Sequence, residues 1–347
     1  MNQTTKKDRP ARAAALPLLT LVLLLGACSS AAFLEPPADA APAPTPPPPA
    51  ALSELEVAAP NEPELIFSGV QGASSDAQTI TLRNVGDAPL ELTGLNVSGT
   101  DAGAFALAAP PLPLSVEPGG AVDAAVVFTP AVAGTQNAVV QVVGNDGQTL
   151  SIDLYGLGSV GEQGENEPPL AAVAQTLGYN VDVGGTGLSL GDGAEAVGAE
   201  VLAPFFERAA PGPVTLTVVA RYAPEEPFPY GIFTLDAGQP VLQEVGVVGA
   251  SEAQTLLPAR ASGEAAFSPG AAPFGVYGQA GGGTQYSLDG LNTGAITHAL
   301  RAYPLRDRAG TPIPNSYLIG LEEASNGDYQ DALFVLSNVR PAEVSPQ

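Results

Sequence analysis

The residues best placed to do chemistry lie in the run Glu322-Glu323-Ala324-Ser325-Asn326-Gly327-Asp328-Tyr329-Gln330-Asp331. Four carboxylates and an amide stand around one glycine, between two apolar stretches, Tyr317 to Leu321 and Ala332 to Leu336, that read as strands. Calcium takes about six to eight oxygen ligands, and a loop that gathers carboxylates and carbonyls around a glycine bend supplies them. Glu322, Glu323, Asn326, Asp328 and Asp331 are the candidate Ca2+ ligands. The acidic positions do not alternate ahead of the glycine as in an EF-hand, so any site is of another type. The alternative is an acidic turn that stays in water.

Other combinations argue against catalysis. Ser-His-Asp chemistry needs a nucleophile on a sharp turn and an oxyanion hole. The lone histidine, His298, sits in Ile296-Thr297-His298-Ala299-Leu300, which reads as a strand where a packed histidine is the ordinary case. One histidine and one cysteine leave no zinc set. Glu225-Glu226 and Glu322-Glu323 are carboxylate pairs, but neighbours on a strand face opposite ways and do not form a facing acid and base. Without tryptophan, stacking on sugars falls to Tyr222, Tyr230, Tyr277 and Tyr286, which are otherwise core residues. Gly281-Gly282-Gly283 lacks the lysine and helix of a phosphate cradle and reads as a hairpin tip or loop. No catalytic residue is expected.

The single cysteine has a different chemistry. Lys6, Lys7, Arg9 and Arg12 precede an apolar run from Ala13 to Leu25, closed by Gly26-Ala27-Cys28. That order is a secretion signal, and its apolar run is shorter than the roughly 20 residues that cross a bilayer. Leu25 to Cys28 resembles the lipobox of bacterial lipoproteins. The resemblance implies a signal peptide at residues 1–27, cleavage before Cys28, and a diacylglycerol on the Cys28 sulfur as the membrane anchor. Ser29 and Ser30 follow in place of the aspartate that retains such proteins in the inner membrane, which favours the outer membrane or cell surface.

These groups need elements to position them. The 347 residues are 45% hydrophobic and only 14% charged, with 40 glycines and 35 prolines, a composition that suits all-β sandwiches. The formal net charge is −24, and beyond residue 12 every basic residue is arginine. Nucleic acid is therefore excluded as a partner, because phosphate contacts need clustered Lys and Arg. Such acidity reflects salt tolerance or composition, or offers carboxylates to divalent cations. Residues 28–60, with Pro36-Pro37, Pro42-Ala43-Pro44 and Pro47 to Pro49, read as an extended tether.

From residue 61 to 160, short alternating runs are bounded by turns, as in an immunoglobulin-like sandwich. The succession Ile66-Phe67, Ile80 to Gly86, Leu90 to Leu95, Phe105, Val116 to Gly119, Val127-Phe128-Thr129-Pro130 and Leu154-Tyr155-Gly156 resembles the Hydin-type, or abnormal-spindle-type, immunoglobulin-like domain. The resemblance implies a spacer or protein-binding module.

Residues 161–169 read as a polar linker, and 170–347 as a second, jelly-roll-like β-sandwich with one short helix, placed by apolar spacing at Ala194 to Ala209. Leu177-Gly178-Tyr179-Asn180-Val181-Asp182, His298 to Leu305 and Asp328-Tyr329-Gln330-Asp331-Ala332-Leu333 make this unit similar to an uncharacterised bacterial exoprotein domain. Related domains with that ending are suspected binders of calcium or carbohydrate, although Gln330 replaces their commoner asparagine. The expected protein is a lipid-anchored, non-catalytic envelope module for adhesion or envelope organisation, bound to an envelope or extracellular protein or to a glycan. The alternative is carbohydrate binding or polysaccharide hydrolysis.

Overall fold

The computed structural model describes residues 51–347 except 62, 146, 186–194, 282, 294–295, 325 and 344–347. The described residues, from Ala51 onward, fall in one compact unit, Ala50 to Gln347. The signal, Cys28 and most of the tether therefore lie outside the described residues. Among those residues, no helix is long and apolar enough to cross a membrane.

The protein is mostly β and contains two sandwich-like domains. The first is built from β1 (Leu55–Ala59), β2 (Glu64–Val70), β3 (Gln78–Asn84), β4 (Leu90–Ser98), β5 (Phe105–Ala108), β6 (Leu114–Val116), β7 (Ala121–Phe128), β8 (Gly134–Gly144) and β9 (Thr149–Ser159). One sheet has the order β1-β3-β7-β5 and the other β2-β9-β8-β4-β6. Among the described residues of this domain, only the β2–β9 pair is parallel. Alternation puts Ile80, Leu82, Val126, Phe128, Val140 and Leu154 into one core. There Phe67, Phe105 and Phe128 meet at centroid distances of 4.9–6.1 Å.

The Asn-Val-Gly signature has a physical role. Asn84 is fully buried; its Nδ2 donates to the carbonyls of Ala88 (2.8 Å) and Val116 (2.9 Å). Its Oδ1 accepts from the amides of Gly86 (3.0 Å) and Glu54 (3.3 Å). A Cβ on Gly86 would stand 2.2 Å from the Leu52 carbonyl, so the chain entering β1 passes where a side chain would be. Strand β1 thus occupies residues that proline content assigns to the tether. Its register against β3, Leu55 opposite Asn84, makes it part of the sandwich.

The second domain opens with α1 (Leu170–Thr176), then β10 (Phe206–Arg208), β11 (Val214–Arg221), β12 (Phe228–Asp236), β13 (Gln239–Val248), β14 (Thr255–Leu256), β15 (Arg260–Gly263) and β16 (Ala266–Phe267). It continues with β17 (Gly275–Ala280), β18 (Gly283–Tyr286), β19 (Leu300–Arg306), β20 (Pro312–Leu321), β21 (Ala332–Ser337) and β22 (Val339–Pro341). One sheet runs β14-β11-β21-β20-β19, with β16 also on β11; the other runs β15-β13-β12-β17-β18. Leu216, Val218, Phe228, Ile232, Val276 and Phe334 lie in the core that these strands share.

The short helix is not at Ala194 to Ala209. Among the described residues there, 195–205 carry no helix, and Phe206–Arg208 is a strand. Pro204 blocks helical hydrogen bonding, and the Glu200 side chain is drawn into an ion-pair cluster instead. The helix forms at Leu170–Thr176, where Pro169 fixes the entry and Leu, Ala and Gln favour the turn.

A third apolar cluster joins the domains: Leu157 of β9, Leu170, Val173, Ala174 and Leu177 in and after α1, and Tyr222, Tyr329 and Leu333 of the second sandwich. Arg308 reinforces this seam. Its guanidinium lies 3.4 Å from the Tyr155 ring centroid and donates to Glu64 Oε2 (3.3 Å) and the carbonyls of Gln175 (3.1 Å) and Thr176 (3.3 Å).

Candidate metal centre

The register of the β20–β21 hairpin creates the site. Leu321 pairs with Ala332, so Glu322 and Asp331 are the first residues beyond that rung on the two strands. Directly opposed positions share a face. Gly327 at φ 78° and Tyr329 at φ 56° turn the chain back, and Asp328 between them returns to the hairpin mouth. Carboxylate oxygens of Glu322, Asp328 and Asp331 lie within 4.8 Å of one another.

Glu322 is 0% exposed and Asp331 4%. Glu322 Oε2 accepts the amides of Asp328 (2.9 Å) and Tyr329 (3.1 Å). Asp331 Oδ2 accepts those of Glu323 (2.5 Å) and Ala324 (3.4 Å). Asn326 Nδ2 donates to Asp328 Oδ2 at 2.6 Å, which puts its amide beside the trio. The opposite oxygens of Glu322 and Asp328 have no such donors. Glu322 Oε1, Asp328 Oδ1 and Asn326 Oδ1 are buried without a hydrogen-bond partner, as are Glu323 Oε2 and Gln330 Oε1. A buried acceptor left unpaired costs about 1–3 kcal/mol, and native proteins carry few. Glu322 Oε1 and Asp328 Oδ1, both on residues of the trio, are acceptors that a cation bound by oxygen would satisfy.

The electrostatics agree. Burial pushes the Glu322 carboxyl up to about 7; the backbone amides oppose the rise and the Asp328 charge adds to it. Burial, then the Glu322 and Glu323 charges, hold Asp331 well above the usual carboxylate range. Burial also raises Asp328. The acidic trio can therefore hold a metal ion. Glu323 stands outside that trio: burial takes it to about 7 against the pull of Arg221, with Glu226 and Glu167 adding to the rise. Glu225 and Glu226 lie between β11 and β12, where the Glu226 carboxylate accepts the Gly281 amide at the β17–β18 hairpin tip.

His298 precedes its strand, since β19 begins at Leu300. Its Nε2 lies 2.8 Å from Glu200 Oε1 and its Nδ1 2.9 Å from Asp289 Oδ1, while Glu200 Oε2 accepts from Arg301 Nη1. Burial lowers the imidazole, but the hydrogen bonds to Glu200 and Asp289 outweigh it and the ring sits above its usual value. Burial likewise raises Glu200, and the bonds from His298 and the Val197 amide, with Arg301, reverse the sign. This network borders the metal loop: Tyr329 donates its hydroxyl to the His298 carbonyl (2.5 Å), and the Glu322 amide donates to that of Ala299 (2.9 Å). Nothing local in the sequence pairs His298 with Glu200 and Asp289, which stand 98 and 9 residues away.

Tyr222, Tyr230 and Tyr277 are buried, and Tyr286 packs edge-on against Phe233, so these rings serve the core. Gly187-Leu188-Ser189-Leu190-Gly191 has the spacing of a hydrolase nucleophile elbow but lies outside the described residues. That motif needs a strand before it and a helix after it. Residues 177–185 and 195–205 carry neither.

Residues 54–152 match the family described as ASH: Abnormal spindle-like microcephaly-assoc'd, ASPM-SPD-2-Hydin. The first sandwich is therefore an ASH-type immunoglobulin-like domain; the second is unassigned. No curated protein matches the chain. Among solved structures, the ASH / PapD-like domain of human CEP192 (PapD-like domain 7) is 18% identical, with 35% of this chain and 94% of that one covered at a TM-score of 0.25. WR4, a C. elegans MSP family member, is 11% identical, covering 31% and 97% at 0.21. A protein of unknown function from Porphyromonas gingivalis W83 is 22% identical, covering 31% and 46% at 0.23.

Proposed function

We propose that this chain is a lipid-anchored extracytoplasmic module of a bacterial envelope, non-catalytic, whose second sandwich holds Ca2+ in the loop 322–331. Its role is binding: adhesion or envelope organisation through a protein partner, without nucleic acid. The observation that carries the calcium reading is the unpartnered oxygen of Glu322, on a fully buried side chain in the acidic trio. An all-oxygen donor set without nitrogen or sulfur suits a hard cation. The anchor rests on the lipobox-like Leu25 to Cys28.

Isothermal calorimetry with CaCl2 on the chelator-treated protein tests the metal. Saturable heat that disappears in Asp328→Ala/Asp331→Ala supports it; equal heat in the double variant, or none in either protein, refutes it. Pull-down from envelope extracts then tests for a protein partner.

A glycan is the second reading, supported by a cleft of about 410 Å³ at the seam between the domains. Asn137, Gln175 and Asn180 bring amides to it, and Tyr155 and Tyr179 bring rings. Its described lining includes no carboxylate, so the cleft fits sugar binding and offers no acid–base pair for hydrolysis. A glycan array with and without calcium distinguishes the two readings.

A further inference from the structure

We infer that a cation in the loop 322–331 locks the joint between the ASH-type sandwich and the second sandwich. This rests on the calcium reading above and assigns the ion its task.

Tyr329 and Gln330 are the two residues between Asp328 and Asp331, both of which belong to the acidic trio. Holding the two carboxylates on one ion therefore fixes the intervening pair, and that pair makes the contacts to the joint. Gln330 is fully buried and its Nε2 donates to Glu167 Oε2 at 3.1 Å. Glu167 belongs to the linker that leaves β9 and enters α1; its other oxygen accepts from Gln254 Nε2 at 2.5 Å, and Gln254 also donates to the Ala223 carbonyl at 3.1 Å. The start of the same linker is closed by the amides of Val160 and Gly161, both donating to the Asn166 carbonyl. Tyr329 packs in the cluster that holds Leu157 of the first domain and Leu170, Val173 and Ala174 of α1.

Asp328 and Asp331 flank the pair whose Gln330 holds Glu167, so an ion that bridges the two carboxylates fixes the Gln330–Glu167 bond and the seat of Tyr329 together. Coupling between the ion and the joint is then reciprocal in binding free energy.

Hydrogen exchange of the full chain, in saturating CaCl2 and in EDTA, reads the joint, and calorimetry on the same samples reads calcium binding independently. The expected result is exchange slowed about tenfold across the linker 161–169 and α1 when calcium binds. In Glu167→Ala and Glu167→Gln, calcium still binds, within about fivefold of the wild-type affinity, but the protection of the linker falls below about twofold. Circular dichroism verifies that both variants are folded. Calcium binding with unchanged exchange at the joint overturns this inference and leaves the metal site standing. Undiminished protection in both variants overturns the route through Glu167. Absence of binding heat removes the metal site and the inference with it.

Discussion

The crowding of carboxylates makes a signed prediction about pH. In the protein without calcium, Glu322 titrates near 7 instead of an ordinary 4.5, principally because of burial. Between those values the folded state holds a proton that the unfolded chain releases, so stability falls as pH rises and the loss is complete somewhat above 7. Each tenfold change in proton affinity is about 1.4 kcal/mol, which puts the contribution of Glu322 at about 3 kcal/mol. Glu323, also taken to about 7 by burial, adds loss in the same window. His298, raised by its two carboxylates, adds loss as pH passes its folded value, whether or not calcium is present. The diagnostic is therefore the difference between two melting series from pH 5 to 8, one in EDTA and one in CaCl2. The calcium increment should be small at pH 5, where Glu322 holds its proton, and grow toward pH 8, reaching about 2.7 kcal/mol at 100 times the dissociation constant. Glu322→Gln keeps the size of the side chain and removes its titration. In EDTA at pH 8 it should be more stable than the wild type, and it should respond little to calcium. A calcium increment that does not change with pH, or a wild-type protein in EDTA whose stability rises from pH 5 to 8, would refute the reasoning.

Three further outcomes are expected. Cys28→Ala should move the protein from the detergent phase to the aqueous phase in a detergent-partition assay, because acyl chains on one residue, at about 0.8 kcal/mol per buried methylene, are its proposed anchor. Asn84→Ala should cost about 3 kcal/mol in chemical denaturation, since it strips partners from the carbonyls of Ala88 and Val116 and the amides of Gly86 and Glu54. Glu200→Ala should cost about 3–5 kcal/mol, because it removes the carboxylate that His298 and Arg301 share in a nearly solvent-free cluster; a loss below about 1 kcal/mol would mean that water reaches the site.

What could be read from the residues followed from periodicity and turn chemistry. Ile80-Thr81-Leu82 alternates and is strand, and Asn84-Val85-Gly86 marks a turn whose asparagine ties four backbone groups. The acidic loop was legible as a donor-rich connection, and its two end carboxylates oppose each other simply because Leu321 pairs with Ala332. Other features depended on distant partners. Leu55–Ala59 sits in a proline-rich context, and only its pairing with β3 makes it a strand. The apolar spacing of Val197, Val201 and Phe205 mimics a helix, whereas Val201 donates its amide to the Ala302 carbonyl and Phe205 packs on Phe233. Likewise, Glu323 and its neighbour Glu322 are equal candidates in sequence, and the hairpin geometry alone separates them.

Two neighbouring charge clusters treat their carboxylates differently, and the contrast bears on the metal. Around His298, the carboxylates of Glu200 and Asp289 meet an imidazole and the Arg301 guanidinium, so the chain supplies its own cations. Around Glu322, three carboxylates converge, and among the described residues no basic side chain forms an ion pair with any of them. Arg221 acts on Glu323 and Asp331 from a distance, but its own Nε and Nη1 are buried without partners. Its guanidinium is instead held by the carbonyls of Pro224 and Glu226 and by the Phe228 ring at 4.5 Å. Burying like charges without a counter-charge costs several kcal/mol per ion. Protons can relieve that cost, at the price of the pH sensitivity derived above, and a divalent ion relieves it at neutral pH. Among the described residues, the loop 322–331 is therefore the place in this fold where a counter-charge from solution has the most to neutralise.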